Sequence, residues 1–525
     1  MACGVICLIT EVAHAQLAQN LTMGSPKALS LGNAVTADPP GIDSIHFNPA
    51  GLTRIKGRKQ HLKFIMGDAG INADFIADAE YLALIESLDL EDPAANTSSE
   101  IDAFAAYLPG LGLTEIPVIA APLGGLSFQS PDQRFTFASA VYAPLLLGYK
   151  RADDDPGIYY GREAGMTRLT YLSPSVAWKV NEELSVGVAI PISYVGIGAS
   201  LDFRAASPVL GAAEHLRTNL CDQVNLNAND DICGDAVLSP FGTLITLEGE
   251  VEKAFSPTFN LGILWQPTAW FSWGFVYQSE AADTLEGEAV FILKEDLVNF
   301  VGAIVKSNRQ IDALFSASLP GVNQELFIDD GRVERDITLD FTLPQHIATG
   351  ISVQLLPDLK VNLDYKWTET STLQEAAIIA DEPVATLELL SFIEGVEASS
   401  ITIPRHYEDA ANWAIGLEYH YSDRLALRLG YEPRKSGVPD DKRDFLLPLG
   451  DFDLYGVGFE YNINAKEVFD LAIGYGKIDE YVAAGESDNG NDLRADNFLY
   501  NPSAGLDVHY TLELLLIEMS YVSEF

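Results

Sequence analysis

The most constraining feature of this sequence is an alternation of apolar and polar side chains at every second residue, which recurs from Arg58 to the terminal Phe525. The alternation is clearest in residues 359–368 and 412–421. It is repeated in residues 424–432, 454–463 and 468–476. Because successive side chains of a β-strand point to opposite faces, each segment predicts a strand with one apolar face and one polar or small face.

The connections between these segments are short and long in turn. Short turns are predicted at residues 130–132, 181–183, 266–268, 356–358, 422–423 and 462–466. Long polar links lie at about residues 70–114, 150–165, 205–241, 293–333, 374–399, 435–450 and 482–504. This pattern is typical of antiparallel transmembrane β-barrels of the bacterial outer membrane, in which one end faces the periplasm and the other the exterior. The segments number 14, an even count of the kind that such barrels have.

Hydropathy and aromatic residues favour the same architecture. The mean hydropathy is +0.09, yet no run of the roughly 18 apolar residues of a transmembrane helix occurs, so the apolar surface must lie on strands. Aromatic residues at strand ends would form an interfacial girdle: Tyr365, Trp367, Tyr419, Tyr421 and Tyr461. The final strand ends in Phe525, similar to the assembly signal of outer-membrane barrels. A water-soluble sandwich or barrel, with the apolar face inside, is the alternative.

The charge balance bears on the partners. The chain has 32 Lys and Arg against 75 Asp and Glu, a net charge of −43. Nucleic acid is therefore not expected as a partner, since phosphate backbones need clustered cations. The acidity indicates a solvated surface, with cation binding in the external loops as the alternative.

The first residues predict export. Residues 1–10 are apolar, and Ala13-His14-Ala15 has the form of a signal-peptidase site, so residues 1–15 are predicted to be a signal peptide. The segment lacks Lys and Arg, which leaves open a start further upstream. In an exported protein, Cys221 and Cys233 are expected to form a disulfide across a polar loop. Calcium binding by the Asn and Asp residues between them is the weaker alternative.

One segment does not fit the strand pattern. Residues 30–38 and 46–52 are mildly apolar but are interrupted by Gly and Pro, so they form neither a strand nor one long helix. Pro49 disfavours a helical conformation at Asn48, and Asn is common in turns. Such a segment requires a larger structure to hold it.

These residues resemble a known family. Residues 28–38, with Asn48-Pro49-Ala50-Gly51-Leu52, resemble the plug of FadL/TodX-type outer-membrane transporters of long-chain fatty acids and other hydrophobic compounds. Further similar segments are residues 171–178, 184–188, 343–344, 364–368 and 427–431. The long external loops show no obvious similarity.

The resemblance implies an all-β fold. Residues 58–525 would form the 14-stranded antiparallel transmembrane barrel, and residues 16–57 a plug of short helices and turns inside its lumen. It also implies passive uptake: a ligand is captured on the external loops, enters an apolar pocket and leaves sideways beside a kinked third strand. Asn48, Pro49 and Ala50 would then act in the gate.

The kinked strand has a counterpart here. Residues 134–150 are predicted to be the third strand, interrupted at Ala143-Pro144. Pro144 has no N–H for the ladder, so a partner carbonyl is left unpaired, and a lateral opening is predicted there. The alternative is a plain bulge near the rim. Three further prolines interrupt strands in a comparable way: Pro174, Pro191 and Pro257.

Two kinds of ligand contact are predicted. The link after Leu293 has apolar residues at helical spacing, which could form a groove for an acyl chain or pack against a neighbouring loop. The predicted groove residues are Leu297, Phe300, Val301, Ile304, Leu314 and Phe315. Lys366 and Arg428, on polar strand faces, would point into the lumen, where either could contact a carboxylate or pair with other lumen charges.

These patterns lead to one functional prediction. We expect a monomeric transporter of long-chain fatty acids or similar hydrophobic molecules, embedded in outer-membrane lipid. A general porin and a surface adhesin or structural barrel are the alternatives. No enzyme, cofactor or metal site is predicted, because the scattered His residues have no metal spacing and no nucleophile or phosphate-loop motif occurs. The sequence does not distinguish a fatty acid from an aromatic hydrocarbon.

Overall fold

The protein is described by a computed structural model. The described residues are 22–525, with the exception of residues 102, 117–118, 205–240, 299–330, 385–386, 388–395, 447–448 and 494–500.

Twenty-five strands occur in the described part of the chain. At the start of the barrel are β1 (Arg58–Ile76), β2 (Thr97–Glu100), β3 (Phe104–Leu108), β4 (Gly112–Ile116), β5 (Ile119–Gln129) and β6 (Phe135–Lys150). Next come β7 (Glu163–Leu172), β8 (Ser175–Lys179), β9 (Leu184–Ala189), β10 (Ile192–Arg204), β11 (Thr243–Pro257), β12 (Asn260–Thr268), β13 (Phe271–Gln278), β14 (Ala281–Leu293), β15 (Arg332–Leu343) and β16 (His346–Leu356). The last are β17 (Leu359–Thr368), β18 (Glu375–Ala380), β19 (Val396–Glu397), β20 (Ser400–Pro404), β21 (Ala410–Ser422), β22 (Leu425–Arg434), β23 (Phe452–Asn464), β24 (Glu467–Val482) and β25 (Asp507–Glu524).

These strands confirm the predicted barrel of 14 antiparallel strands. Five of the 14 are split in two, as β7/β8, β9/β10, β11/β12, β13/β14 and β15/β16. The sheet closes where β1 pairs with β25, from Lys59 opposite Glu524 to Ile76 opposite Asp507. The predicted third strand is β6.

The helices are short. They are α1 (Pro26–Ser30), α2 (Ser44–Phe47) and α3 (Ala79–Ser87), with 3₁₀ turns at Gly41–Asp43, Pro49–Arg54, Pro156–Tyr160, Thr370–Thr372 and Asp440–Lys442. Within the described ranges, no helix is long and apolar enough to cross a bilayer.

The alternation of side chains separates a lipid-facing surface from the lumen. On β1, Leu62, Phe64 and Met66 are exposed, while Ile65 between them is 1% exposed. Four of the predicted girdle residues are exposed on the outer surface: Tyr365, Tyr419, Tyr421 and Tyr461. The apolar face therefore points outward, as in a membrane barrel and unlike a soluble one.

Buried side chains inside the barrel form separate clusters. Residues of the plug pack against β6, β8 and β9 through Met23, Ile45, Ala140, Tyr142 and Ala177. Nearer the external end, buried apolar residues of β10, β11, β14 and β15 form what we call the outer-lumen cluster, which includes Leu201, Leu247, Leu285, Phe291 and Ile337.

Candidate functional site

The N-terminal segment lies inside the barrel. Residues 22–57 fold as α1, α2 and two 3₁₀ turns before β1 begins. Leu31, Ala34, Ile45, Ala50 and Leu52 are completely buried. The broken, mildly apolar segment is thus held by the wall around it, and we call residues 22–57 the plug.

Asn48 connects the plug to the wall. Its side-chain amide donates to the carbonyl oxygen of Thr36 at 2.8 Å and to that of Ile263, on β12, at 3.0 Å. Its side-chain oxygen accepts from the N–H of Ala50 at 3.2 Å and so caps the following 3₁₀ turn. The backbone of Asn48 is extended, with φ −169°, and the 3₁₀ turn begins at the next residue, Pro49. The first position of a helical turn is favoured by proline.

Pro49 and Ala50 touch the wall through backbone atoms. A β-carbon added to Gly187 would lie 2.3 Å from the carbonyl carbon of Pro49 and 2.4 Å from the nitrogen of Ala50. One added to Gly262 would lie 2.2 Å from the side-chain oxygen of Asn48. Only glycine therefore fits at these two strand positions.

A row of glycines supports the other side of the plug. Gly416, Gly430, Gly456 and Gly474 lie directly opposite one another across β21 to β24. A β-carbon on Gly430 would lie 2.0 Å from the nitrogen of Gly32. The sequence interpretation missed this row, although glycine in the middle of an alternating strand is a known signal for close backbone approach.

Lumen charges fix the plug further. Asp364 accepts from the N–H and the hydroxyl of Thr36 at 2.8 and 2.7 Å. The side-chain amide of Asn33 donates to Glu432 at 3.0 Å, and the ammonium of Lys366 lies 2.5 Å from the same carboxylate. The plug is thus bonded to β17 and β22.

The two cations predicted to contact a ligand are both engaged. Lys366 is bound to Glu432. Arg428 pairs with Glu418 and Asp470, each at 2.7 Å, and also with Glu460. Both side chains are buried in the lumen, as the sequence predicted, but their carboxylate partners already use the donors that a ligand would need.

Burial and neighbouring charges shift the pKa values of two ionisable groups in the plug. Burial opposes ionisation of Asp38, but the cations of Lys27, Lys360 and Arg54 hold the pKa of that carboxyl well below its usual value. Burial, with the nearby charges of Arg168 and Lys63, lowers the pKa of His46 to about 3. Asp38 is therefore charged and His46 neutral at physiological pH.

The third strand is interrupted where the sequence indicated. The ladder between β5 and β6 ends at Gly124 opposite Val141. On the other side of β6, the register with β7 shifts between Tyr142 and Leu145. Within the described ranges, β6 next pairs on its β5 side at Lys150, with Ala103. We call the unpaired stretch of wall beside residues 142–149 the third-strand gap.

Side chains bond to the backbone of β6 on both sides of this interruption. The hydroxyl of Thr22 donates to the carbonyl oxygen of Ala143 at 2.8 Å. On the opposite side of β6, between the ends of β7 and β8, the hydroxyl of Ser173 donates to the carbonyl of Ala140 at 2.7 Å, and the N–H of Ala140 donates back to it at 2.9 Å. Side chains thus replace ladder bonds that the broken backbone does not make.

The interruption continues around the wall. The five split strands following β6 break at residues 173–174, 190–191, 258–259, 279–280 and 344–345. A cavity of about 40 Å³ lies along this line of breaks, lined in part by His46, Tyr142, Pro144 and Arg168. The cavity therefore joins the plug to the third-strand gap.

Arg168, on β7, was not singled out by the sequence. Its side chain is 3% exposed, and neither terminal guanidinium nitrogen has a hydrogen-bond partner among the described residues. A buried cation whose terminal nitrogens have no bonded partner in the described part of the chain is costly, which makes Arg168 a candidate contact for an anion.

The predicted loop groove is described only in part. Leu297 lies in a helical turn at residues 295–298, and it is buried in the outer-lumen cluster. It packs against its neighbours, the alternative considered from the sequence. Phe300, Val301, Ile304, Leu314 and Phe315 lie outside the described residues, as do Cys221, Cys233 and the predicted signal peptide.

Comparison with known proteins gives the family. Residues 5–525 match the model of the outer membrane protein transport protein family (OMPP1/FadL/TodX). The chain belongs to the FadL/TodX family. Members are outer-membrane transporters of hydrophobic compounds, so the predicted localisation is confirmed and the chain is part of a transport family rather than an enzyme family.

Solved structures share the fold of this FadL/TodX protein. A FadL homologue of Pseudomonas aeruginosa matches with a TM-score of 0.65 at 17% identity, over 98% of this chain and 100% of that one. The toluene transporter TodX of P. putida matches with a TM-score of 0.59 at 14% identity, over 95% and 97% of the two chains. The toluene transporter TbuX of Ralstonia pickettii matches with 0.57 at 15%, over 96% and 99%. No curated protein sequence matches the chain.

Proposed function

We propose that this FadL/TodX protein takes up long-chain fatty acids passively, with Arg168 as the contact for the carboxylate. The ligand passes through the apolar lumen, the plug rearranges, and the ligand leaves sideways through the third-strand gap into outer-membrane lipid. The single observation that carries the proposal is the buried guanidinium of Arg168 beside that gap.

The buried cation of Arg168 favours a carboxylic acid over a hydrocarbon as the cargo. An alkane or an aromatic hydrocarbon gains nothing from a buried cation, whereas a carboxylate can accept two parallel N–H bonds from a guanidinium. Asp283 is close enough to influence Arg168 electrostatically, but it accepts a hydrogen bond from the hydroxyl of Ser256. Lys366 and Arg428 are less suited, because both already bind carboxylates.

The apolar tail has a path on the outer side of Arg168. The outer-lumen cluster provides apolar side chains of β10, β11, β14 and β15, including Leu201 and Phe291. An acyl chain that displaces part of this packing would remain in an apolar environment while its head group reaches Arg168. Leu297, one of the residues predicted to contact an acyl chain, belongs to the same cluster.

The exit is proposed beside Ala143 and Pro144. Among the described residues, the wall has no β5–β6 ladder there, so an acyl chain can pass without breaking bonds of that ladder. Thr22 occupies the inner side of the gap and must move first. Because the barrel closes on itself through β1 and β25, we also propose that the monomer is the functional unit.

The test compares Arg168→Gln with Arg168→Lys in cells whose own fatty-acid transporters are deleted. The Gln variant is expected to lower uptake of labelled oleate about tenfold or more and to leave toluene entry unchanged, while Lys recovers part of the oleate uptake. Lys179→Gln, which removes a cation of β8 that is 35% exposed and pairs with the exposed Glu182, is the control.

The same variants separate function from structure. Removal of an unpaired buried charge is expected to leave the thermal stability equal or higher, so lower uptake would not reflect unfolding. Equal oleate uptake by the Arg168→Gln variant would reject the proposal and favour a hydrocarbon cargo. Steady ion conductance through the closed wild-type plug would favour a general porin, and attachment lost on loop deletion would favour an adhesin.

A further inference from the structure

The plug covers a second cavity, on the periplasmic side. Its volume is about 370 Å³, and it lies between the plug and the lumen faces of β1, β24 and β25. Its position is set by residues 54–59, which join the plug to the start of β1 beside the short turn after β5. The volume falls in the roughly 300–1,000 Å³ range of small-ligand sites.

The charge of this region is opposite to that of the whole protein. Residues 44–67 contain five Lys and Arg and no Asp or Glu, in a chain whose net charge is −43. Lys59, His61 and Lys63 alternate along β1, so all three line the cavity from its mouth inward. Successive members are about 6.6 Å apart along the strand.

The cationic and imidazole side chains of this cavity differ in whether they already have a partner. Lys63 is bound to Asp43 at 2.5 Å and to the carbonyl of Met23 at 3.0 Å. In the described part of the chain, Lys56 and Lys59 make no ion pair within 4.0 Å, and the Nε2 atom of His61 has no hydrogen-bond partner although the side chain is only 6% exposed.

The acidic groups of the lining do not neutralise these donors. Asp43 is taken by Lys63, while Glu460 and Asp470 are taken by Arg428. The remainder of the lining is largely apolar, with Pro26, Ile42, Ile55, Val468 and Val522. The cavity thus combines free cationic and imidazole donors with an apolar floor.

We infer that this cavity is a second binding site, for the anionic head group and first carbons of an aliphatic carboxylate, separate from the Arg168 cavity. The inference rests on the proposed fatty-acid cargo. Lys56 and Lys59 bind the head group, His61 donates from the buried side, and the lining of Ile42, Ile55 and Val522 receives the chain. The site would hold cargo on the periplasmic face of the plug, where a phosphate head group of an inner-leaflet lipid has the same anionic chemistry.

Photo-crosslinking of the whole protein tests this. The protein is reconstituted in nanodiscs of phosphatidylcholine with palmitate that carries a diazirine next to its carboxylate, and the labelled peptides are mapped by mass spectrometry. Labels are expected in peptides that contain residues 40–63 and, separately, in peptides around Arg168. The variant Lys56→Gln/Lys59→Gln should lower labelling of the first set about tenfold and spare the second.

The controls make the two proposals independent. Lys179→Gln/Lys466→Gln removes a cation from the end of β8 and one from the turn between β23 and β24, and it should change neither set of labels. Arg168→Gln should remove only the labels around that residue. If the labels around Arg168 are lost while those at residues 40–63 are retained, a failure of the proposed function concerns only the Arg168 assignment and not the second site. The second site would be overturned by either of two results. One is palmitate labelling of residues 40–63 that is unchanged in Lys56→Gln/Lys59→Gln, and the other is its absence in the wild type.

A further arm distinguishes the source of the anion. A phosphatidylglycerol probe that labels residues 40–63, where palmitate does not, would overturn the assignment to a fatty acid. Palmitate labelling that persists in nanodiscs containing phosphatidylglycerol supports it.

Discussion

The hydroxyl of Thr22 donates a hydrogen bond of 2.8 Å to the carbonyl oxygen of Ala143, and so it links the first described residues of the plug to the interrupted third strand. The bond lies where β6 has left the ladder of β5, and it therefore satisfies backbone at the third-strand gap. We therefore expect movement of the plug and opening of the gap to be coupled through this contact.

Removal of that contact should open the gap more often. Thr22→Val keeps the shape of the side chain but loses a hydrogen bond worth about 1 kcal/mol. We expect faster initial uptake of oleate and faster hydrogen exchange of amides at residues 22–25. Thr53→Val, which alters a plug hydroxyl bonded to Ser185 away from the gap, is the control. Equal rates in the two variants would contradict the coupling.

Asn48→Asp should release the plug from β12. The substitution retains the oxygen that caps Ala50 but removes the amide donors to Thr36 and Ile263. The unsatisfied carbonyls should cost about 1–3 kcal/mol, so His46 loses its position beside the Arg168 cavity and oleate uptake falls. The plug should also become more sensitive to protease. Normal uptake with a protected plug would count against a role for Asn48 in the gate.

Gly430→Ala should expel part of the plug. The new β-carbon would lie 2.0 Å from the nitrogen of Gly32, closer than packing allows. We expect higher ion conductance in planar bilayers. Gly70→Ala, on a strand position with no atom within 4 Å, should behave as the wild type. Low conductance in both variants would show that the wall can shift to admit a methyl group.

Pro144→Val should narrow the third-strand gap. Valine restores an N–H and fits a strand, so residues 142–145 can approach a regular ladder. Oleate uptake is expected to fall while labelling of Arg168 by the palmitate probe persists, because entry is intact and exit is slowed. Pro439→Val, in an external loop, provides the comparison. Undiminished uptake would assign Pro144 to a plain bulge.

Acid should loosen the plug through His46. Its pKa is about 3 in the folded plug against about 6.5 when unfolded, so the unfolded segment binds more protons between these values. The stability contributed by neutral His46 is complete above pH 6.5 and falls with decreasing pH by up to ~1.4 kcal/mol per unit. Hydrogen exchange of the plug should therefore quicken from pH 7 to pH 5. His46→Gln should reduce this dependence, and the exposed His420→Gln should leave it unchanged.

The architecture was open to prediction because it depends on local periodicity. Alternation in segments such as residues 359–368, and the order of short and long connections, determine strand number and the lipid-facing side. The break at Pro144 could also be predicted from the sequence, because proline has no backbone N–H to donate to a strand ladder.

The lumen was less predictable because it depends on contacts between distant strands. Lys366 and Arg428 were correctly placed on lumen faces, but their partners Glu432 and Glu418 are set by register. Arg168 looks in sequence like any other lumen charge, and only the structure shows that its terminal nitrogens have no hydrogen-bond partner among the described residues. The glycine row could have been found by asking why Gly430 interrupts an apolar strand.

The unequal lengths of two ladders have a mechanical consequence. The seam between β1 and β25 runs unbroken from Lys59 to Ile76, whereas the β5–β6 ladder extends only from Gln129 to Gly124. The third-strand gap is thus two strands away from the seam at which the first and last strands close the barrel. A cargo that leaves through the third-strand gap, as proposed, would therefore not have to break the β1–β25 ladder that closes the barrel.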